Sequence, residues 1–274
     1  MPFMSYCSYT DLEKVIGCES LNKKTKGEVF VVMGFQRSGT SLLASVVNAC
    51  GVFFGEKSEL KQPLVTNPDG FFEHKQISSL SWKYLKEAGY QDNINYDVSM
   101  HPKTLWQKIK RLITVRNMHS VLYRLSTQQE KWGIKNFPLF YYIWKDYLPK
   151  HKVIAIYRNL YVATHSFLNI FWPSKFTYEY GLSLWAQAQR DMIYHLSQTE
   201  SLLIQYEDLL DETKNTHVIQ KLIAFVGGGD VENIRKMIRP SLNRMDKETS
   251  VLIDNYPTQI EVKEIIETLN RMKI

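Results

Sequence analysis

The chain is poor in cysteine. Three of its 274 residues, Cys7, Cys18 and Cys50, are too few and too scattered for a disulfide framework or a zinc site. Thirteen glycines and nine prolines are too sparse for a collagen-like or low-complexity chain. Long hydrophobic runs are also missing. The longest, such as Val29–Phe35 and Leu139–Trp144, fall far short of the about 20 apolar residues that span a bilayer. The N-terminus, MPFMSYCSYTDLEKVIGC, lacks the basic segment and apolar run of a secretory signal. These absences predict a soluble, cytoplasmic protein with no membrane association.

What is present suits a folded protein. Hydrophobic residues make up 44% and charged residues 23%, enough to build a sizeable core and far from a disordered composition. Lys and Arg exceed Asp and Glu by 34 − 28 = 6. That excess suits an anionic ligand, a nucleic acid or a membrane surface without choosing among them.

Short runs rich in Val and Ile predict buried strands at Val29–Met33, Trp132–Lys135, Val153–Tyr157 and Leu202–Tyr206. Helical patterns occupy Thr40–Cys50, Ile77–Ala88, Thr104–Leu125, Val162–Ile170, Tyr178–Thr199, Thr216–Val226 and Val231–Ile238. Strands alternating with helices predict an α/β sandwich around a central parallel sheet. Gly227–Gly229 reads as a helix C-cap and turn. In Thr104–Leu125, Leu105, Ile109, Leu112, Ile113, Leu122 and Leu125 form an expected apolar stripe. Lys108, Lys110, Arg111, Arg116 and Arg124 then read as a solvated basic face rather than a nucleic-acid surface.

The strongest motif follows the first strand. Gly34-Phe35-Gln36-Arg37-Ser38-Gly39-Thr40-Ser41 leads from a strand into an apolar helix. Such a turn points backbone N–H groups at a phosphate. Gly39 allows close approach, Ser38, Thr40 and Ser41 bring hydroxyls, and Arg37 brings a planar fork. The spacing matches the Walker A loop except that Thr40 replaces the lysine that reaches the β- and γ-phosphates. The strand Val153–Tyr157 runs into Arg158, where a magnesium-holding Asp would be expected. The pattern therefore predicts an anion cradle without the apparatus of Mg-nucleotide hydrolysis. Arg158, at the carboxyl end of a buried strand, stands where α/β folds bind ligands. A tight strand–helix turn capped by Ser or Thr is the structural alternative.

Several segments, in order, resemble sulfotransferases that use 3′-phosphoadenosine 5′-phosphosulfate (PAPS). Arg37-Ser38-Gly39-Thr40-Ser41 resembles their 5′-phosphosulfate loop. Tyr157-Arg158-Asn159 with Ser166 is similar to the 3′-phosphate motif. Leu203–Leu209 resembles the strand and YEDL segment whose tyrosine, here Tyr206, lies near the adenine. Trp132–Asn136 resembles a strand ending in Lys-Asp-Pro, with Lys135 retained and Asn136-Phe137 replacing the next two residues. Asn67–Glu73 is similar to a segment of bacterial members. The resemblance spans about residues 29–245.

The resemblance implies a P-loop NTPase-like three-layer sandwich with a helical insertion, as one domain over 1–274. The cofactor core would cover about 29–210, the insertion about 75–130 and a C-terminal helical region about 211–274. It implies sulfuryl transfer from PAPS to a hydroxyl or amine of a small, natural-product-like molecule, leaving 3′-phosphoadenosine 5′-phosphate (PAP). No metal and no nucleic-acid partner are expected. Gln36, Arg37, Ser38, Gly39, Thr40, Ser41, Arg158, Ser166 and Tyr206 would hold the donor. Lys135 and Arg37 would stabilise the moving group. Glu73 is the first candidate for the general base, Glu56 the second, with His74 and His165 behind them. Phe53, Phe54, Phe71, Phe72, Tyr141, Tyr142, Trp144, Phe171 and Trp172 offer aromatic surface to core and acceptor alike. A divergent P-loop kinase and a non-catalytic anion- or nucleic-acid-binding module are the rival readings.

Overall fold

The computed structural model describes residues 27–64, 70–87, 104–171, 177–238 and 260–274. Cys7, Cys18, Asn67–Asp69, Ala88, Trp172 and residues 239–245 of the resemblance lie outside them. The described elements are, in order, β1 (Glu28–Met33), α1 (Thr40–Ala49), α2 (Lys75–Glu87), α3 (Leu105–Gln128), β2 (Lys131–Asn136) and α4 (Pro138–Trp144). There follow β3 (His151–Tyr157), α5 (Leu160–Phe171), α6 (Tyr178–Ser197), β4 (Ser201–Gln205), α7 (Tyr206–Leu210), α8 (Asn215–Val226), α9 (Val231–Met237) and α10 (Ile260–Met272).

The four strands form one parallel sheet in the order β2-β1-β3-β4. Alternation along each strand divides the core. Val29, Val31 and Met33 of β1, with Trp132, Ile134, Val153, Ala155 and Leu203, face an apolar cluster drawn from α2 to α6 and α10. Phe30, Val32, Ile154, Ile156, Leu202 and Ile204 face a second cluster built on α1, α8 and α9. Both sheet faces are covered, so the strands read as near-continuous hydrophobic runs. The result is the expected three-layer α/β sandwich, with α2 and α3 inserted between α1 and β2.

The order also locates a crevice. From β1 the chain reaches β2 on one side, then returns to place β3 on the other. Where neighbouring strands send their connections in opposite directions, a cleft opens outside their carboxyl ends. Here that switch point falls between β1 and β3, at the loop 34–39 and Arg158.

Several local expectations change. Tyr206 does not extend β4; it opens the short helix α7. The apolar run Leu139–Trp144 is itself a helix, α4, started by Pro138 in its first turn and buried throughout. Helix α2 begins at Lys75, two residues before the expected Ile77, and leaves Glu73 on the segment before it. The stripe expected on α3 is wrong in its first half: Ile109 and Ile113 are exposed, while Arg111, Thr114, Val115, Met118, Leu122 and Leu125 face inward. Arg111 takes a core position because its guanidinium lies 3.7 Å from the centre of the Tyr84 ring and donates to the Tyr84 carbonyl at 2.9 Å. Arg124 turns to Glu59. The basic residues of α3 therefore do not form one face; Lys108, Lys110 and Arg116 are exposed. Gly227 ends α8 in the left-handed conformation, as expected of a C-cap.

Helix α10 closes the carboxyl edge of the sheet. The Tyr157 hydroxyl donates to Asn270 Oδ1 at 2.8 Å, and Lys273 Nζ pairs with Asp208 Oδ2 at 2.6 Å. Among the described residues no helix is long and apolar enough to cross a membrane.

Candidate active site

The loop between β1 and α1 has the form of an anion cradle. Arg37 (φ 67°) and Gly39 (φ 89°) both take left-handed backbone conformations, which turn the chain sharply into α1. No side chain caps α1, and its first turn holds no acidic residue. The hydroxyl-capped turn, the structural alternative, is thus not what forms. An uncapped helix N-terminus carries a partial positive charge suited to an anion. Ser38 is fully buried, and its Oγ has no hydrogen-bond partner among the described residues. A buried hydroxyl without a partner costs free energy, which an anion in the cradle would offset.

The loop is braced from β3 and from α7. A Cβ on Gly39 would run into the Tyr206 ring, so this ring packs directly against the turn. The Arg158 guanidinium lies 4.5 Å from the centre of the same ring and donates from Nη1 to the Arg37 carbonyl at 3.2 Å. Arg37 Nε in turn donates to Ser166 Oγ, on α5, at 3.1 Å. Arg37, Gly39, Arg158, Ser166 and Tyr206, far apart in the sequence, thus meet at the switch point. Gln36 is half-buried in the same turn and Thr40 is buried at the first position of α1.

A second cluster sits beside the loop, at the end of β2. Lys135 Nζ donates to Ser41 Oγ at 2.9 Å and to the Phe71 carbonyl at 2.7 Å. An amine from the neighbouring strand thus reaches α1, whose own Walker position holds Thr40. Glu73 Oε1 lies 3.4 Å from Lys135 Nζ, and Glu73 Oε2 lies 2.6 Å from Lys61 Nζ. Burial pushes the Lys135 amine down to about 8, against the opposing pull of Glu73. Burial alone would raise the Glu73 carboxyl, but Lys135 and Lys61 together outweigh it and hold it below its ordinary value. Glu73 is therefore ionised near neutral pH.

Glu73 is held in place by its backbone. Gly70 and Phe72 both have positive φ, 84° and 53°, so the chain doubles back just before it. The segment 59–61 then pairs with 73–75: Lys61 N–H donates to the Glu73 carbonyl and Lys75 N–H to that of Glu59, each at 2.8 Å. The Glu59 carboxylate pairs with Arg124 of α3 and accepts the Glu56 N–H at 3.0 Å. Arg124 Nη2 also donates to Gln76 Oε1 at 2.8 Å. A carboxylate and a guanidinium thereby tie the insertion to both arms of the Glu73 hairpin. Glu56 itself is exposed on the preceding turn. His74 Nδ1 accepts the Gln76 N–H at 3.2 Å, and its Nε2 lies 3.5 Å from Arg124 Nη2 and 3.8 Å from Glu59 Oε2. The Nδ1 lone pair is thus already engaged. His165 Nε2 contacts Asn169 Nδ2 at 2.8 Å on α5.

A small cavity joins these groups. It is lined by Thr40, Glu73, His74, Ser78, Lys135, Asn136, Phe137 and Phe140. Of the aromatic residues singled out from the sequence, Phe54, Tyr141, Tyr142 and Trp144 are buried in the core, and Phe72 packs edge-on against Phe54 at 6.0 Å. The cavity instead takes Phe137 and Phe140. Sequence reasoning missed these two and Lys61, Glu59 and Arg124. Only the phenylalanines had a signal, since they follow Lys135 directly in a run that is helical.

Comparison with known proteins bears on the fold and the family. The model of the sulfotransferase family matches residues 29–228. The sulfotransferase domain from the curacin biosynthetic pathway has a similar fold, with TM-score 0.52 and 15% identity over 89% of this chain and 98% of that one. The sulfotransferase domain of the Synechococcus PCC 7002 olefin synthase gives TM-score 0.54 and 17% identity, covering 90% of this chain and 96% of that one. No curated protein matches the chain by sequence. The family match covers most of the chain, including the loop 34–41, Glu73, Lys135 and Arg158: this protein belongs to the sulfotransferase family.

Proposed function

We propose that this sulfotransferase moves a sulfuryl group from PAPS to a hydroxyl or amine of a small, natural-product-like acceptor. The observation that carries the reading is the switch-point cluster: an uncapped helix N-terminus, a buried Ser38 hydroxyl with no partner among the described residues, and Arg37, Arg158 and Lys135 around them. These residues fit an anion with two separated charged ends. Gln36–Ser41 would hold the 5′ end. Arg158 and Ser166 would hold the 3′-phosphate, and Tyr206 would support both the loop and the adenine. The whole chain would act as one unit, with the donor core at about 29–210. A natural-product acceptor is in keeping with the curacin pathway named for one relative of the same fold.

In the transfer, Glu73 would take the proton of the acceptor as the acceptor oxygen or nitrogen bonds to sulfur. Lys135 and Arg37 would meet the charge that builds on the leaving phosphate. Positioning and electrostatics dominate such a step, so little covalent work falls to the protein. Turnover of ³⁵S-labelled PAPS tests the reading. Transfer should persist in EDTA, since Thr40 and Arg158 stand where a kinase would place its lysine and its magnesium-holding Asp. A strict magnesium requirement in the chemical step would favour a kinase. PAP should stabilise the protein against heat more than ATP-Mg or DNA does, because only a ligand of the native state raises its stability, by about 2.7 kcal/mol at a concentration 100 times Kd.

Gly39 gives a sharp test of the cradle. Gly39→Ala imposes a left-handed conformation on an L residue, at about 1–2 kcal/mol, and drives a Cβ into the Tyr206 ring. It should lower stability in chemical denaturation by at least that amount and abolish the thermal shift with PAP. Unchanged stability and an unchanged shift would mean that the turn differs from the one described.

A further inference from the structure

Asn136 is nine-tenths buried, and its side-chain nitrogen has no hydrogen-bond partner among the described residues. It lines the same cavity as Glu73, Lys135, Phe137 and Phe140. Successive residues of a strand point to opposite faces of the sheet. Lys135 reaches α1 and the phosphate loop, whereas Trp132 and Ile134, which share the parity of Asn136, belong to the apolar cluster built from α2 to α6. Asn136 therefore lies on the side of the cavity away from the anion cradle. A buried donor left without a partner is uncommon in a native protein, and here it is free to meet a polar group that enters the cavity.

From this placement, and resting on the sulfotransferase reading above, we propose that Asn136 is an acceptor-specificity residue. Its amide donates a hydrogen bond to a second oxygen of the acceptor, a carbonyl, ether or hydroxyl, while the attacking group meets Glu73 and the apolar skeleton packs on Phe137 and Phe140. The acceptor class is then an alcohol, phenol or amine that carries a further hydrogen-bond-accepting oxygen on an apolar frame. A site built around such a bond discriminates strongly against analogues lacking the oxygen, because its donor is then left unpaired.

The test uses matched probes in the presence of PAP, with affinities read by ligand-observed NMR. The pairs are 2-naphthol against 7-hydroxycoumarin, and cyclohexanol against 4-hydroxycyclohexanone. The carbonyl-bearing member should bind wild-type protein about tenfold more tightly or better in at least one pair. In Asn136→Leu, which keeps the branched shape of the side chain, with slightly more bulk, but not the donor, that gap should collapse while PAP affinity stays unchanged. Asn136→Ala serves as the second variant if the leucine disturbs folding. No gap on wild-type protein, including no binding by either member of both pairs, overturns the proposal; so does a gap that survives in the variants. Loss of PAP affinity in a folded variant would assign the amide to the donor instead, and also overturns it. Failure of PAP to bind the wild type would bring down the donor reading, while the probe gap would still decide the role of Asn136.

Discussion

Arg158→Ala should weaken PAP far more than 5′-AMP. The two ligands differ only in the 3′-phosphate, and Arg158 is the cation placed at the carboxyl end of β3, beside Ser166-bound Arg37. Losing a charge-assisted hydrogen bond to a phosphate costs roughly 1.5–3 kcal/mol, which is on the order of 10- to 100-fold in Kd. The side chain also holds the Arg37 carbonyl and stacks on Tyr206, so some loss with 5′-AMP is expected too. Arg158→Lys separates the two roles, since a lysine keeps the charge and loses the planar fork and stacking. Calorimetric titration of both nucleotides checks this. Equal losses for PAP and 5′-AMP would remove Arg158 from the 3′ site.

Glu73→Gln should keep PAP affinity and lose on the order of 10²–10⁴ in kcat. The glutamine keeps the shape of the side chain and removes both the base and the anionic partner of Lys61 and Lys135. Glu56→Gln is the control, and its exposed position predicts near-wild-type turnover. Lys135→Ala should also lower kcat, since in the proposed transfer its amine would meet the charge that develops in transit. The pH profile follows from the same cluster. Lys135 and Lys61 hold Glu73 below its ordinary carboxylate value, so it stays ionised as pH falls through the usual carboxylate range, and the acid limb should lie below that range. Lys135, lowered to about 8, loses its charge as pH rises through that value, so kcat/KM should fall on the alkaline side from about pH 8. Lys135→Arg, which stays charged, should move that limb upward. Full activity in Glu73→Gln with a large loss in Glu56→Gln would transfer the role of base to Glu56.

The parts of this arrangement that were legible in the sequence are those encoded locally. Val29–Met33 and Val153–Tyr157 announce buried parallel strands because both their faces are apolar. The turn from Gly34 to Ser41 is legible because glycines between an apolar strand and an apolar helix mark a sharp strand–helix junction, and Gly39 does take the left-handed conformation there. What stayed hidden depends on pairing across the chain. Nothing near Lys61 marks it as a partner of Glu73, since that contact exists only once 59–61 folds back on 73–75. Glu59 and Arg124 are 65 positions apart and meet only because α3 crosses that hairpin. Tyr206 read as the last residue of a strand because aromatic residues favour strands, yet the chain turns there so that the ring can support Gly39. On α3 the apolar pattern alone misassigned the inward face, because an arginine fills a core position by lying on Tyr84.

The most direct test of the central claim is a calorimetric comparison of PAP, 5′-AMP and ATP-Mg on the wild-type protein. The account predicts that PAP binds at least tenfold more tightly than either of the others, as a site with cations at both a 5′ and a 3′ end requires. ATP-Mg binding as tightly as PAP would contradict it.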